Sequence, residues 1–104
     1  MAFIDNRTSG DPLPADTLKY LAQKKGKGRI IELYADADSM AWQRYIKRDT
    51  IEGMKRMWLP LGTSDKAAID LRVRTVPYYI VLDKGGKEIY RGTDWKVAIE
   101  NFKK

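Results

Sequence analysis

The sequence has 104 residues, which fits one domain, and 43% of them are hydrophobic and 33% charged, the composition of a globular protein. It contains no cysteine and no histidine, which excludes disulfides, thiolate catalysis and the Ser-His and Cys-His nucleophile systems. The formal net charge of +6 is compatible with a polyanionic partner, but acidic residues are interspersed along the chain and favour a solvated basic surface.

The first residues are predicted to be irregular. Residues 1–15 contain Gly10, Pro12 and Pro14, which interrupt regular structure, so we expect a lead-in there and a single domain over residues 16–104. The lead-in has neither the basic start nor the apolar core of a signal peptide. No apolar run reaches the roughly 18 residues that span a bilayer. As written, the chain is expected to be cytoplasmic, or exported only if a signal peptide has been removed.

A helix, a strand and a second helix are predicted next. The first helix is capped by Asp16 or Thr17. Its apolar stripe consists of Leu18, Leu21 and Ala22. Gly26 and Gly28 are predicted to end it. Residues 29–35, RIIELYA, are rich in β-branched and apolar side chains and predict a strand. Asp38 or Ser39 then caps the second helix.

The next pair of elements is a strand and a short helix. Residues 57–61, MWLPL, form an apolar strand. Pro60 cannot donate a hydrogen bond to a neighbouring strand, which indicates a strand end or a sheet edge. Ser64 or Asp65 caps a short helix over residues 63–71.

The last third predicts a hairpin and a final helix. Residues 78–82 are five consecutive apolar or aromatic residues, as in a strand covered on both faces. The turn DKGG at residues 83–86 returns the chain as a strand over residues 87–91. Thr93 or Asp94 caps the last helix. The order α-β-α-β-α-β-β-α predicts an α/β fold with a mixed sheet of about four strands and helices on both faces.

Three segments resemble the thioredoxin-like family. IIELYADADSMA is similar to the family's strand that leads to its Cys-x-x-Cys motif. RTVPYYIVLD is similar to the loop that ends in a cis-proline before a central strand. KGGKEIYRG, followed by a helix, is similar to the terminal hairpin and helix. The resemblance covers residues 16–104 and implies a thioredoxin-like fold.

The resemblance also implies where the redox motif would lie. Asp38 and Ala41 stand at the two cysteine positions, and Ser39 and Met40 fill the pair between them. Dithiol exchange needs a thiolate that attacks sulfur, and neither aspartate nor alanine supplies one. We therefore expect no disulfide reductase or isomerase activity, and no enzyme of this kind. The spacing also predicts that cysteines placed at positions 38 and 41 would form a redox-active pair.

Other positions are carried over from the family in the same way. Pro77 falls on its cis-proline, and Val76 on the residue whose backbone pairs with an extended substrate. Glu32 falls on the position at which many thioredoxins keep a buried acid that helps to move protons. Without a cysteine this role has no target, so we interpret Glu32 as structural, paired with a lysine at the margin of the strand. Trp42 lies beside the former motif, where an apolar surface would mark binding.

Asp38 has two interpretations. As a helix cap it accepts backbone N–H groups and stabilises the helix by ~1 kcal/mol. As a docking point it would mimic a thiolate at the helix N-terminus. Asp36 and Asp38 flank Ala37, but two carboxylates are too few for a metal site, and we expect neither metal nor cofactor.

The predicted function is therefore non-covalent binding of a peptide or partner protein by a redox-inactive thioredoxin-fold domain. The predicted binding residues are Asp38, Ser39, Met40, Ala41, Trp42, Val76 and Pro77. Two alternatives remain: a basic nucleic-acid-binding adaptor, and a purely structural domain of a larger assembly. Arg72 and Arg74 alternate on a segment predicted to be extended and could share a face, but no stacking motif of an RNA-binding sheet is present.

Overall fold

The computed structural model describes residues 1–7, 12–24 and 29–103. Its strands are β1 (Ala2–Asp5), β2 (Ile31–Ala35), β3 (Lys55–Leu59), β4 (Tyr78–Leu82) and β5 (Glu88–Gly92). Its helices are α1 (Ala15–Lys24), α2 (Ser39–Arg48), α3 (Lys66–Asp70) and α4 (Trp95–Phe102), with a 3-10 turn at Gly62–Ser64 before α3. The predicted stop of the first helix, Gly26 and Gly28, lies outside the described residues.

The strands form one mixed sheet in the order β3-β2-β1-β4-β5. β1, β2 and β3 are parallel, and β4 is antiparallel to both β1 and β5. β3 is an edge strand, and Pro60 follows its last residue, as the sequence predicted. The predicted α/β fold with a mixed sheet is confirmed, but the sheet has five strands instead of about four.

The additional strand is β1, so the prediction of an irregular lead-in is wrong for Ala2–Asp5. The glycine and prolines that suggested irregular structure all follow this segment. Phe3 is 1% exposed and pairs with Glu32 on one side and Tyr79 on the other. A four-residue strand shows little periodicity in the sequence, and its pairing on both sides is what fixes it. The domain therefore begins inside the predicted lead-in.

Side-chain caps begin three of the helices, as predicted. Asp38, Asp65 and Asp94 each accept the backbone N–H of the residue two positions later, at the starts of α2, α3 and α4. The predicted hairpin is also present, since β4 and β5 pair antiparallel. In its turn, Asp83 Oδ1 accepts the backbone N–H groups of Gly85 and Lys87, each at 2.9 Å. These bonds satisfy backbone donors that would otherwise have no partner at the helix and strand ends.

Two apolar clusters lie on opposite faces of the sheet. The first contains Phe3 and Tyr79 together with the buried sides of α1 and α4. The second contains Ile4 and Leu33 and includes Ala68 of the short helix α3. Helices thus lie on both faces, with the longer ones on the face of Phe3. In the part of the chain that the structure describes, no helix is long and apolar enough to cross a membrane.

Candidate binding surface at one end of the sheet

Both segments that the sequence predicts to bind lie at one end of the sheet. The parallel strands β1 and β2 end there at Asp5 and Ala35, and the antiparallel strand β4 begins there at Tyr78. α2 starts shortly after Ala35, and Val76 and Pro77 directly precede Tyr78. The carboxyl ends of parallel strands are the usual place for ligands in open α/β sheets.

The two segments are not neighbours, however, because β1 lies between them. Tyr34 of β2 pairs with Asp5, and Tyr78 of β4 pairs with Ile4, so β2 and β4 have no pairing of their own. Two strand spacings amount to roughly 10 Å. The predicted binding residues therefore fall into two separate groups, because the chain that leaves β1 at Asp5 lies between α2 and Val76.

This strand order also weighs against the transfer of the cysteine positions to Asp38 and Ala41. In the family, the residue before the cis-proline pairs with the backbone of a substrate whose sulfur the cysteine attacks. A substrate paired with Val76 is next to the chain after Asp5, and α2 is one strand further away. Residues 8–11 of that connection lie outside the described residues. The transfer to Asp38 and Ala41 remains a prediction.

The carboxylates at the start of α2 hold the local backbone. Asp38 Oδ1 accepts the N–H of Met40 at 2.9 Å, and Asp36 Oδ1 accepts the N–H of Asp38 at 2.9 Å. Trp58 of β3 donates its indole N–H to the Asp36 carbonyl at 2.7 Å. Ser39 is exposed, and Met40 has 57% of its surface exposed. The cap interpretation thus accounts for Asp38, while the neighbouring side chains are accessible to a partner.

No metal centre is found at this place. Among the described residues, no group of three or more aspartate and glutamate side chains could hold a metal ion. The carboxylates of Asp36 and Asp38 act within the loop and the helix cap instead.

Trp42 belongs to an aromatic cluster. Its ring centroid lies 5.4 Å from that of Tyr34 and 6.5 Å from that of Tyr45, and Tyr34 and Tyr45 stack at 5.1 Å. Tyr34 and Tyr45 are buried, whereas Ala41 and Trp42 are half-buried. Trp42 therefore packs α2 onto β2 and presents only part of its surface at the sheet end.

Glu32 is completely buried but not unpaired. The Tyr45 hydroxyl donates to its Oε2, and Arg56 donates Nε–H to its Oε1 at 2.9 Å. Arg56 occupies the partner position of Glu32 in the β2–β3 register, and its guanidinium lies 4.7 Å from the centre of the Tyr45 ring. Burial, and next the Glu32 charge, raise the pKa of Tyr45 above its ordinary value of 10.0. The expected lysine partner was wrong, because the register places an arginine opposite Glu32.

The segment before β4 has a backbone without hydrogen bonds in the part of the chain that the structure describes. The Val76–Pro77 peptide bond is cis. The Val76 side chain packs against the apolar cluster that contains Ala68, while Arg74 and Thr75 are exposed. No hydrogen bond among the described residues involves the backbone of residues 74–76. The family resemblance implied that the Val76 backbone pairs with an extended substrate, and this remains a prediction; the lack of backbone hydrogen bonds at residues 74 and 75 depends on where the neighbouring strands end and had no signal in the sequence.

No protein-family model and no curated protein matches the chain. A solved structure, the C-terminal domain of a proposed thiol-disulfide oxidoreductase from Bacteroides thetaiotaomicron, is similar to it over 97% of this chain and 75% of the other. The TM-score is 0.66 and the sequence identity is 21%, a likeness that shows the fold. With its mixed sheet flanked by helices and no cysteine in its sequence, the chain has a thioredoxin-like fold without the dithiol of that fold's redox enzymes.

Proposed function

We propose that this chain is a redox-inactive domain that binds an extended segment of a partner protein non-covalently. The observation that supports this most directly is the backbone of residues 74–76, which forms no hydrogen bond among the described residues, in a segment where Arg74 and Thr75 are exposed and Val76 is half-buried. Free backbone N–H and C=O groups can pair with another chain, which is how peptides are added to the edges of sheets.

The start of α2 is a second contact for the same partner. An extended chain advances at most ~3.3–3.6 Å per residue, so roughly three residues bridge the distance of about 10 Å between β4 and β2, the strand that leads into α2. Side chains of such a segment would reach Ser39 and the exposed Met40, with Trp42 beside them. Met adapts its shape to different apolar partners, which suits a contact of this kind.

Selection of a displayed library of random heptapeptides on the purified chain tests the proposal. Thr75→Pro removes one unpaired N–H, and we expect it to weaken the selected peptides about tenfold, the effect of one lost hydrogen bond of ~1.4 kcal/mol. Lys84→Pro is the matched control, because Lys84 lies in the exposed hairpin turn and its N–H makes no hydrogen bond among the described residues. If no peptide is enriched, or if both variants bind equally well, the proposal fails.

The absence of redox activity is tested separately. Insulin reduction by dithiothreitol should proceed at the uncatalysed rate in the presence of the purified chain, because the chain has no thiolate to exchange. A reproducible acceleration that depends on protein concentration would contradict this part of the proposal and leave peptide binding unaffected.

A further inference from the structure

A cavity lined by two arginines lies next to the unpaired backbone. It has a volume of about 650 Å³ and opens to solvent between the 3-10 turn and the segment that follows α3. Its lining residues are Thr63, Ser64, Ile69, Arg72, Val73 and Arg74. Arg74 lines the cavity and is also the first residue of the segment 74–76, whose backbone is unpaired, so the cavity and this segment adjoin.

The two arginines of the cavity have no partner within the described residues. Arg7, Arg48, Arg56 and Arg91 each form an ion pair with a carboxylate, whereas neither Arg72 nor Arg74 does. Their side chains also take part in no hydrogen bond among these residues, and both are exposed. Two unpaired guanidinium groups beside one cavity favour a ligand with negative charge.

The backbone of Arg72 has an unusual conformation. Its φ is 60°, in the left-handed region, and its N–H donates to Ile69 at 3.0 Å while the N–H of Val73 donates to Ala68 at 2.9 Å. This is the bonding pattern with which glycine commonly ends a helix. Arginine costs stability in this conformation. The bend turns the chain so that residues 72 and 74 line the same cavity. The prediction that Arg72 lies in an extended segment was wrong, because Arg72 belongs to this turn.

We propose that the partner segment is acidic, with carboxylates that bind Arg72 and Arg74 while its backbone pairs with residues 74–76. This inference rests on the proposed function and specifies its partner. A guanidinium donates two parallel hydrogen bonds to a carboxylate. The hydroxyl groups of Thr63 and Ser64 supply further donors, and the exposed side chain of Ile69 covers the apolar part of the ligand.

The lining favours a peptide over a nucleic acid. No aromatic residue lines the cavity, so it lacks the aromatic platform on which single-stranded nucleic acids usually stack their bases. The free backbone beside it matches the donors and acceptors of another polypeptide, whereas a sugar-phosphate chain has no N–H groups along its backbone.

The test is a titration of the ¹⁵N-labelled chain with two capped hexapeptides. One alternates valine and glutamate, and the other alternates valine and glutamine. We expect the glutamate peptide to shift the amides of residues 72, 74, 75 and 76. We expect Arg72→Gln and Arg74→Gln each to weaken it about tenfold, as for the loss of a charge-assisted hydrogen bond. Arg44→Gln is the matched control, because Arg44 is exposed on α2 and does not line the cavity; it should change the affinity less than twofold.

The possible results separate the inference from the proposed function. If both peptides bind equally well and shift residues 74–76, the inference of an acidic partner is wrong, while the proposed backbone pairing stands. Shifts by the glutamate peptide at Ser64 and Arg72, but not at residues 74–76, overturn strand pairing. No shift in residues 63–76 at millimolar peptide overturns both. In another outcome, a single-stranded oligonucleotide displaces the glutamate peptide, binds more tightly than it and loses affinity steeply as salt rises. That result would overturn the acidic peptide as the partner in favour of a nucleic acid.

Discussion

Tyr45 on α2 donates its hydroxyl hydrogen to the buried carboxylate of Glu32 on β2. Arg56 on β3 donates to the other carboxylate oxygen at 2.9 Å and also to the Asp49 carbonyl, just after α2. A helix and two strands are thus connected through one acid. The arrangement gives Glu32 a structural role, because both of its oxygens are occupied within the fold.

Replacement of Glu32 should therefore destabilise the fold strongly. Glu32→Ala leaves the guanidinium of Arg56 without its counter-charge, and Arg56 has only 12% of its side chain exposed. We expect the free energy of unfolding in urea to fall by about 3–5 kcal/mol, as for other buried pairs that lose one partner.

Two further variants identify the cause of that loss. Asp70→Asn removes an exposed pair with Lys66, 3.0 Å long, and should cost at most about 1 kcal/mol. Glu32→Leu combined with Arg56→Leu should recover most of the loss, because no unpaired charge remains. A double variant as unstable as Glu32→Ala alone would show that the charge is not the cause.

Tyr45 should make the fold sensitive to alkaline pH. Its pKa is raised in the folded chain, first by burial and then by Glu32. Above pH ~10 the unfolded chain therefore loses the Tyr45 proton before the folded chain does, and the free energy of unfolding falls as pH rises. Urea titrations between pH 8 and 11 measure this decline. Tyr45→Phe should be less stable at pH 8 and should decline less steeply; equal slopes for the two proteins would contradict the assignment.

The sequence predicted the elements that have strong local signals. The caps at Asp38, Asp65 and Asp94 and the turn at Asp83 depend on side chains that bond within a few residues, and the structure has all four. The fold class followed from their order and was confirmed by the structural neighbour.

Pairing between distant segments could not be predicted in the same way. β1 has only four residues and was missed, although it is the central strand. Without β1, the sequence could not show that a strand separates α2 from Val76. The partners of Glu32 were missed for a related reason: Tyr45 is 13 and Arg56 24 positions away, and only the register of β2 with β3 brings Arg56 opposite Glu32.

Gly92, the last residue of β5, should not tolerate a side chain. A methyl group at this position would lie 2.5 Å from the Tyr90 hydroxyl and 3.0 Å from the carbon that bears it. That hydroxyl accepts from the Asp94 N–H at 3.2 Å and donates to the Asp94 carbonyl at 3.3 Å, next to the start of α4. Gly92→Ala should therefore displace the ring and cost about 1–3 kcal/mol in urea unfolding.

Tyr90→Phe shows whether the cost of Gly92→Ala comes from contact with the Tyr90 hydroxyl or from the backbone at position 92. It removes the closest atom, so Gly92→Ala should cost less there than in the wild-type chain, with a coupling of 0.5 kcal/mol or more in a double-mutant cycle. Additive effects would indicate that Gly92 is needed for its backbone and not for the space that Tyr90 occupies.

Arg72 should show opposite effects on stability and binding. Glycine adopts the left-handed conformation of this position without steric cost, so Arg72→Gly should raise the free energy of unfolding by about 0.5–1 kcal/mol. Arg74 does not have a positive φ, and Arg74→Gly should lower it by a similar amount, because glycine gains freedom in the unfolded chain. If Arg72 binds a carboxylate, the more stable Arg72→Gly chain nevertheless binds the valine-glutamate peptide more weakly. A variant that gains stability and keeps the full affinity would mean that the side chain of Arg72 has no part in binding, whereas a variant that loses stability would refute the strain at this turn.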